Sequence, residues 1–310
     1  MKNNTKKVSN NSFFEVINNL LKKKDSFICS RLPGSKQVNL NSGIATQLKR
    51  SEIQDNGIFV MPFIEKNLGW MLSPSLNYET IIEKKLNSKN NNFLNVKDLV
   101  KNEEKENYTR SVKNLIKEID KGKLSKIVFS KKITLKRPNS NCVSIFKNIL
   151  DSYNDAFCYL FYTPKEGVWL GASPELLFKK EKNSILTMAL AGTKFNISSE
   201  WGDKEYSEQK IVQDEIIENL SPLCSSLSLG ETETVSAGKI QHLKTSFEGT
   251  TQASTIKLIN ALFPSSAIAG FPRKTALKLI SKYELYERSF YSGFLGACKG
   301  NDSFFFVNLR

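Results

Sequence analysis

The segment from Ala156 to Thr193 constrains the fold more than any other part of the chain. It reads AFCYLFYT, PKEG, VWLGASPELLF, KKEKN and SILTMALAGT. Three apolar runs rich in β-branched and aromatic residues are separated by clusters of Pro, Gly, Lys and Asn, the pattern of an antiparallel meander. A second hairpin is predicted at the end, in SFYSGFLGAC, KGND and SFFFVNLR. Helical spacing is clear at Tyr108, Val112, Leu115, Ile116 and Ile119, with Gly122 as a stop signal, and again from about Ser207 to Leu220. KIVFSKKITL, residues 126–135, alternates, with Ile127, Phe129, Ile133 and Leu135 on one face, and predicts a strand. Strands and helices in separate blocks imply an α+β fold with long antiparallel sheets.

Composition narrows the function classes. Of 310 residues 40% are hydrophobic and twenty are Phe, enough for a large core. No apolar run approaches the roughly 18 residues of a membrane span. MKNNTKKVSNN lacks the apolar stretch of a secretory signal, so a cytoplasmic protein without a membrane partner is expected. The five Cys never fall in C-x-x-C spacing, which fits reduced thiols and offers no zinc site. The net charge of +14 comes from scattered Lys, with only seven Arg. That reads as a solvated surface rather than a nucleic-acid interface, which would bind with steep salt dependence.

Four residues invite a chemical reading, each beside a plainer one. Glu175, set among apolar residues after Ser173-Pro174, is the polar edge of a turn or an acid in a pocket. Glu208 lies one turn before the stripe Val212, Ile216 and Leu220. There it serves the helix dipole or projects as a hard-cation ligand. Lys126 is an exposed strand-edge lysine or a desolvated base. His242, the single histidine, has no Ser or Cys partner motif and reads as a hydrogen-bonding residue.

Taken in order, KIVFSKKI, GASPELLF, LAGTK, SEQKIV, HLKTSFEG, LFPSSAIAGFPR and FYSGFLGACKG…FFFVNLR resemble the chorismate-utilising enzymes over about residues 108–310. That family holds the isochorismate, salicylate, anthranilate and aminodeoxychorismate synthases. The resemblance implies a single chorismate-binding domain of two packed antiparallel sheets with helices outside. Residues 1–105 would be its weakly patterned N-terminal part, ending in a polar connection over residues 87–107. Residues 106–310 would be the core. It also implies chorismate as substrate and Mg2+ as cofactor. Lys126 would activate water for attack at ring carbon 2, and Glu175 would protonate the hydroxyl leaving carbon 4. Glu208 would bind the metal, while Gly192 and Thr193 would give donors to a carboxylate or the cation's waters. His242, Ala267 and Ile268 would wall the ring, and Arg310 would grip the enolpyruvyl carboxylate.

Ammonia-using members carry another residue at the Lys126 position, and aminodeoxychorismate synthases carry a lysine where this chain has Ala191. Water is therefore the expected nucleophile, and isochorismate the expected product of a monomeric enzyme serving menaquinone or siderophore synthesis. Salicylate synthase is the alternative. Lys131 and Gln209 depart from the usual Arg and His. The family also continues past the strand ending at Arg310, through a Gly-rich strand to a helix with a second magnesium Glu and a substrate Lys. The chain is thus expected to be truncated, or one half of a split or inactive chorismate-binding subunit.

Overall fold

A computed structural model of the chain describes residues 5–83, 85–86, 102–134, 141–195, 200–238 and 240–309. The chain begins with β1 (Thr5–Lys7), α1 (Asn10–Lys23), β2 (Phe27–Arg31), β3 (Gln37–Leu48), β4 (Asn56–Met61) and β5 (Gly69–Ile81). Helix α2 (Asn102–Asp120), the short β6 (Lys126–Ile127) and α3 (Cys142–Ser152) lead to the predicted meander: β7 (Phe157–Thr163), β8 (Gly167–Ser173), β9 (Leu176–Glu181) and β10 (Ser184–Lys194). Then come α4 (Asp203–Leu220), β11 (Ser226–Ala237), β12 (Ile240–Thr250), α5 (Thr255–Leu262), β13 (Gly270–Phe271) and α6 (Arg273–Tyr283). The hairpin β14 (Phe294–Lys299) and β15 (Asp302–Val307) ends the described chain.

One hydrogen-bonded path of strands, β11-β12-β10-β9-β15-β14-β4-β5-β3-β2-β7-β8, joins the N-terminal strands to the meander, with β1 parallel to β5. Its two halves fold onto each other as two packed layers. Between them lie Ile28 and Phe157 from one half and Leu176, Leu295 and Phe306 from the other. Phe157 and Phe306 stack with centroids 4.5 Å apart across this space. On the outer face of β9, β10 and β15, α4 and α5 cover a second core of Leu177, Ala189, Ala191, Phe305 and Val307. The helix stripe Val212, Ile216 and Leu220 is buried there, as its spacing predicts. A third core packs α1 and α3 on β2, β3 and β7.

Two local expectations are corrected. The strand over 126–135 pairs only at Lys126 and Ile127, with Phe271 and Gly270, and continues without regular structure to Thr134. Leu135 lies outside the described residues. The described end of the polar stretch, from Asn102, is not a connection but the first turns of α2, which ends at Asp120 before Gly122 at φ +70°. The five cysteines are free thiols, as expected. No helix among the described residues is long and apolar enough to cross a membrane.

Candidate active site

Glu175 occupies the gap between β8 and β9, where Pro174 interrupts the strand. Its side chain is buried, with the residue 5% exposed. The ladder between β9 and β15 fixes its direction. Phe305 pairs with Phe178 and Phe306 with Leu176, so Leu177 is an extra residue, a bulge. Bulges re-aim the side chains beside them. Val307 N–H then donates to the Glu175 carbonyl at 3.0 Å, placing Glu175 opposite a residue whose side chain packs under α4. Successive strand residues face opposite sides, and Leu176 faces the space between the layers. Glu175 therefore faces the α4 side. Ser173 Oγ donates to the Val307 carbonyl, tying down the strand end beside it.

A second bulge lies in β10. Ala191 pairs with Leu243 and Thr193 with His242, which leaves Gly192 between them at φ +70°. Only glycine adopts this conformation without strain. A Cβ there would also stand 3.2 Å from Glu205 Cβ of α4, so the bulge doubles as the seat of the helix. His242 Nδ1 donates to the Gly192 carbonyl at 2.9 Å and lies 3.1 Å from Thr193 Oγ1. The three residues predicted from the LAGTK and HLKTS segments thus form one corner.

Lys126 and Glu208 meet one turn along α4 from Glu205. Helix α4 starts one turn earlier than predicted, at Asp203, with the Gly202 N–H donating to Glu205 Oε2. From it Glu208 Oε1 reaches Lys126 Nζ at 2.9 Å. The lysine side chain is only 10% exposed and the glutamate 31%. The exposed strand-edge reading of Lys126 is excluded, and Glu208 serves more than the helix dipole.

The predicted wall residues are anchored from the same helix. Ala267 packs beside the core and Ile268 is buried within it. Ile268 lies in a turn closed by bonds from Ile268 N–H and Ala269 N–H to the Ser265 carbonyl. Glu215 Oε2 accepts from Ser266 N–H at 2.6 Å, while Glu215 Oε1 accepts from Arg273 Nη2 at 3.1 Å. Glu208 and Glu215 are two turns apart on one helix face, about 10 Å along the axis. Behind them Gln209 Nε2 donates to the Ala189 carbonyl and Thr245 Oγ1, which sets the rotation of α4 on the sheet. Sequence reasoning missed Glu215 and Arg273, and named Gln209 only as a departure from the family pattern. The signal was available for Glu215, a second acid seven positions after Glu208 on the stripe.

Arg310, the predicted carboxylate grip, lies outside the described residues. Among the described residues no group of three His, Cys, Asp or Glu could hold a metal. Mg2+ characteristically uses one or two protein carboxylates, keeps several waters and is completed by its substrate. The partly exposed Glu208 carboxylate, facing the predicted base, has the chemistry for that role.

Comparison with known proteins agrees with this fold. The family model described as chorismate binding enzyme matches residues 70–310. Isochorismate synthase MenF of Haemophilus influenzae is 28% identical over 64% of this chain and 50% of its own length. The vibriobactin-specific isochorismate synthase of Vibrio cholerae is 24% identical over 87% of this chain and 73% of its own. The chain spans about half the length of the first curated relatives it matches. A Bacillus anthracis structure, described as a 2,3-dihydroxybenzoate-specific isochorismate synthase, has the same fold. Its TM-score is 0.75 at 22% identity, covering 94% of this chain and 88% of that one. The chain belongs to the chorismate-binding enzyme family.

Proposed function

We propose that this site converts chorismate to isochorismate, with water attacking ring carbon 2 as the carbon 4 hydroxyl departs. The observation that carries the reading is the burial of Lys126 against Glu208, a largely enclosed lysine of the kind that a water-activating base requires. Curated relatives named isochorismate synthases support it. Lys126 takes a proton from the attacking water, and Glu175 gives one to the leaving hydroxyl, which departs as water. One water enters and one leaves, so the reaction is an isomerisation. A base and an acid on opposite faces of the ring suit this exchange.

Mg2+ would be held by Glu208 and the substrate, and would supply positive charge at the ring carboxylate. The Gly192–Thr193 bulge offers a backbone and a hydroxyl group to the same end of the substrate. His242 stiffens the bulge through its bond to the Gly192 carbonyl. Ala267 and Ile268 exclude water from the ring. Arg310 would contribute a bidentate fork to the enolpyruvyl carboxylate.

The test is product analysis with chorismate and Mg2+, with and without ammonium. Isochorismate in both conditions is expected. Anthranilate with ammonium, and no isochorismate, would overturn the reading. Salicylate and pyruvate as main products would replace it with the salicylate synthase alternative.

A further inference from the structure

We propose that Arg288 is a positioning residue that holds the Lys126 segment, the Ile268 wall and the strand end beside Glu175 in fixed relation. The proposal rests on the function proposed above for what is being positioned, and on geometry alone for the positioning. Arg288 and Glu284 form a buried ion pair, each side chain 2% exposed. The guanidinium lies over the Phe63 ring at 4.5 Å. All three nitrogens are engaged. Nε donates to Glu284 Oε2 at 2.8 Å and Nη2 to Glu284 Oε1 at 2.6 Å, a bidentate contact that fixes the plane of the fork.

The remaining donors reach outward to three places. Nη2 also donates to the Val128 carbonyl at 2.7 Å, just past the Lys126–Ile127 ladder. Nη1 donates to the Ile268 carbonyl at 3.0 Å and to Ser292 Oγ at 3.3 Å. Ser292 in turn donates its N–H to the Asn308 carbonyl at 2.7 Å. Asn308 follows Val307, whose N–H holds the Glu175 carbonyl. Glu284 completes the clamp by accepting from Ser130 N–H at 2.8 Å and Ser130 Oγ at 2.7 Å. After the last backbone bond of the ladder, from Val128 N–H to the Ala269 carbonyl at 3.0 Å, the chain is held as far as Ser130 by one ion pair in place of a strand.

The loop that presents Arg288 is over-determined. Ser289 and Ser292 both stand at positive φ, 51° and 58°. Residues other than glycine hold such backbone only where the surroundings impose it. Phe63 N–H donates to the Ser289 carbonyl at 2.9 Å, and Asn308 Nδ2 to the Phe290 carbonyl at 2.8 Å. No lysine can replace this arrangement, since an ammonium is a point donor without a planar fork.

The experiment compares the wild-type chain, Arg288→Lys and Ser292→Ala. Hydrogen–deuterium exchange is read over residues 126–130, 266–269 and 305–308, together with chorismate turnover and equilibrium binding with Mg2+. Arg288→Lys keeps the charge that Glu284 needs. It should raise exchange at 126–130 and 266–269 together and lower kcat roughly a hundred-fold, the scale of a misplacement of about 1 Å. Binding should change less than about three-fold. Ser292→Ala, which keeps the ion pair, should loosen 305–308 alone. A wild-type chain that forms no isochorismate counts against the proposed function, and the exchange data then decide the positioning claim by themselves. Unchanged exchange in both variants, or a uniform rise across the whole chain, overturns the proposal.

Discussion

Glu175 and Lys126, the acid and base assigned to one reaction, are held by different means. Glu175 belongs to the large sheet. The strands beside it are β8, β9 and β15, and its own carbonyl is bonded by Val307 N–H. Its direction follows from a bulge, which is a property of the backbone. Lys126 belongs to a two-stranded ladder of two residue pairs. Side chains fix its surroundings: Glu208 on the lysine itself, Glu215 and Arg273 on the wall, Arg288 and Glu284 on the chain that follows. A backbone ladder survives most substitutions because every residue contributes the same donor and acceptor. A half built on ion pairs depends on a few atoms, and breaking a buried pair leaves an uncompensated charge. The acid half should therefore tolerate local change, and the base half should fail locally while the sheet persists.

The largest effect should come from cutting what both halves share. Phe157→Ala removes a ring stacked on Phe306 between the layers and should cost about 3–5 kcal/mol, read by urea denaturation. A loss under about 1 kcal/mol would mean that the layers do not stabilise each other. Next, Glu215→Ala strands Arg273 and frees Ser266 N–H. Because the Arg273 side chain is 25% exposed, the loss should fall below the roughly 3–5 kcal/mol of fully buried pairs. Amide exchange should rise at 264–271 and 126–128 and stay slow at 176–181. An equal rise at 176–181 would erase the distinction between the halves.

Gly192→Ala tests the seam between sheet and helix. The left-handed backbone costs a non-glycine residue about 1–2 kcal/mol, and the close approach to Glu205 adds to this. Tm should fall by several degrees, with looser packing of α4. A pH dependence comes from the thiols of the large sheet. Burial pushes Cys158 up to about 11 and Cys298 up to about 12. The unfolded chain loses these protons near pH 9 while the folded chain keeps them. Stability from this source is thus complete below pH 9 and declines as pH rises towards 11–12. A Tm that holds steady from pH 8 to 10.5 would show that these thiols are not shielded.

The same contrast explains what could be read from the residues. The meander was readable because turn residues separate its apolar runs and β10 alternates in burial, and the α4 stripe because burial there follows period 3.6. Residues 126–135 alternate equally well, yet alternation reports which faces differ and not whether a partner strand is present. The partner is largely replaced by Arg288 and Glu284, more than 150 positions away, and no local pattern carries that. The N-terminal third looked weakly patterned although it supplies β2 to β5. In QVNLNSGIATQL, Val38 and Leu40 are fully buried, but Ile44 is 75% exposed and blurs the alternation. Glu175, Glu208, Lys126 and His242 stood out from the residues themselves, while the roles proposed for them, and for Gly192 and Thr193, came from the family resemblance. Glu215 was readable from its place seven positions after Glu208, whereas Arg288 carries an ordinary charged-residue signature and is distinguished only by burial.

The central claim is that a backbone-held acid and a side-chain-held base act on one ring in one step. Turnover and chorismate binding in Lys126→Ala, Glu175→Ala and the double variant test it most directly. Each single substitution should lower turnover roughly a hundred- to ten-thousand-fold, with binding largely kept, because both groups act on the atoms that change. The double variant should be little worse than either single one, since groups acting as a unit are not additive. Near-normal turnover in Glu175→Ala, or a double variant showing the full product of the two losses, would contradict the account.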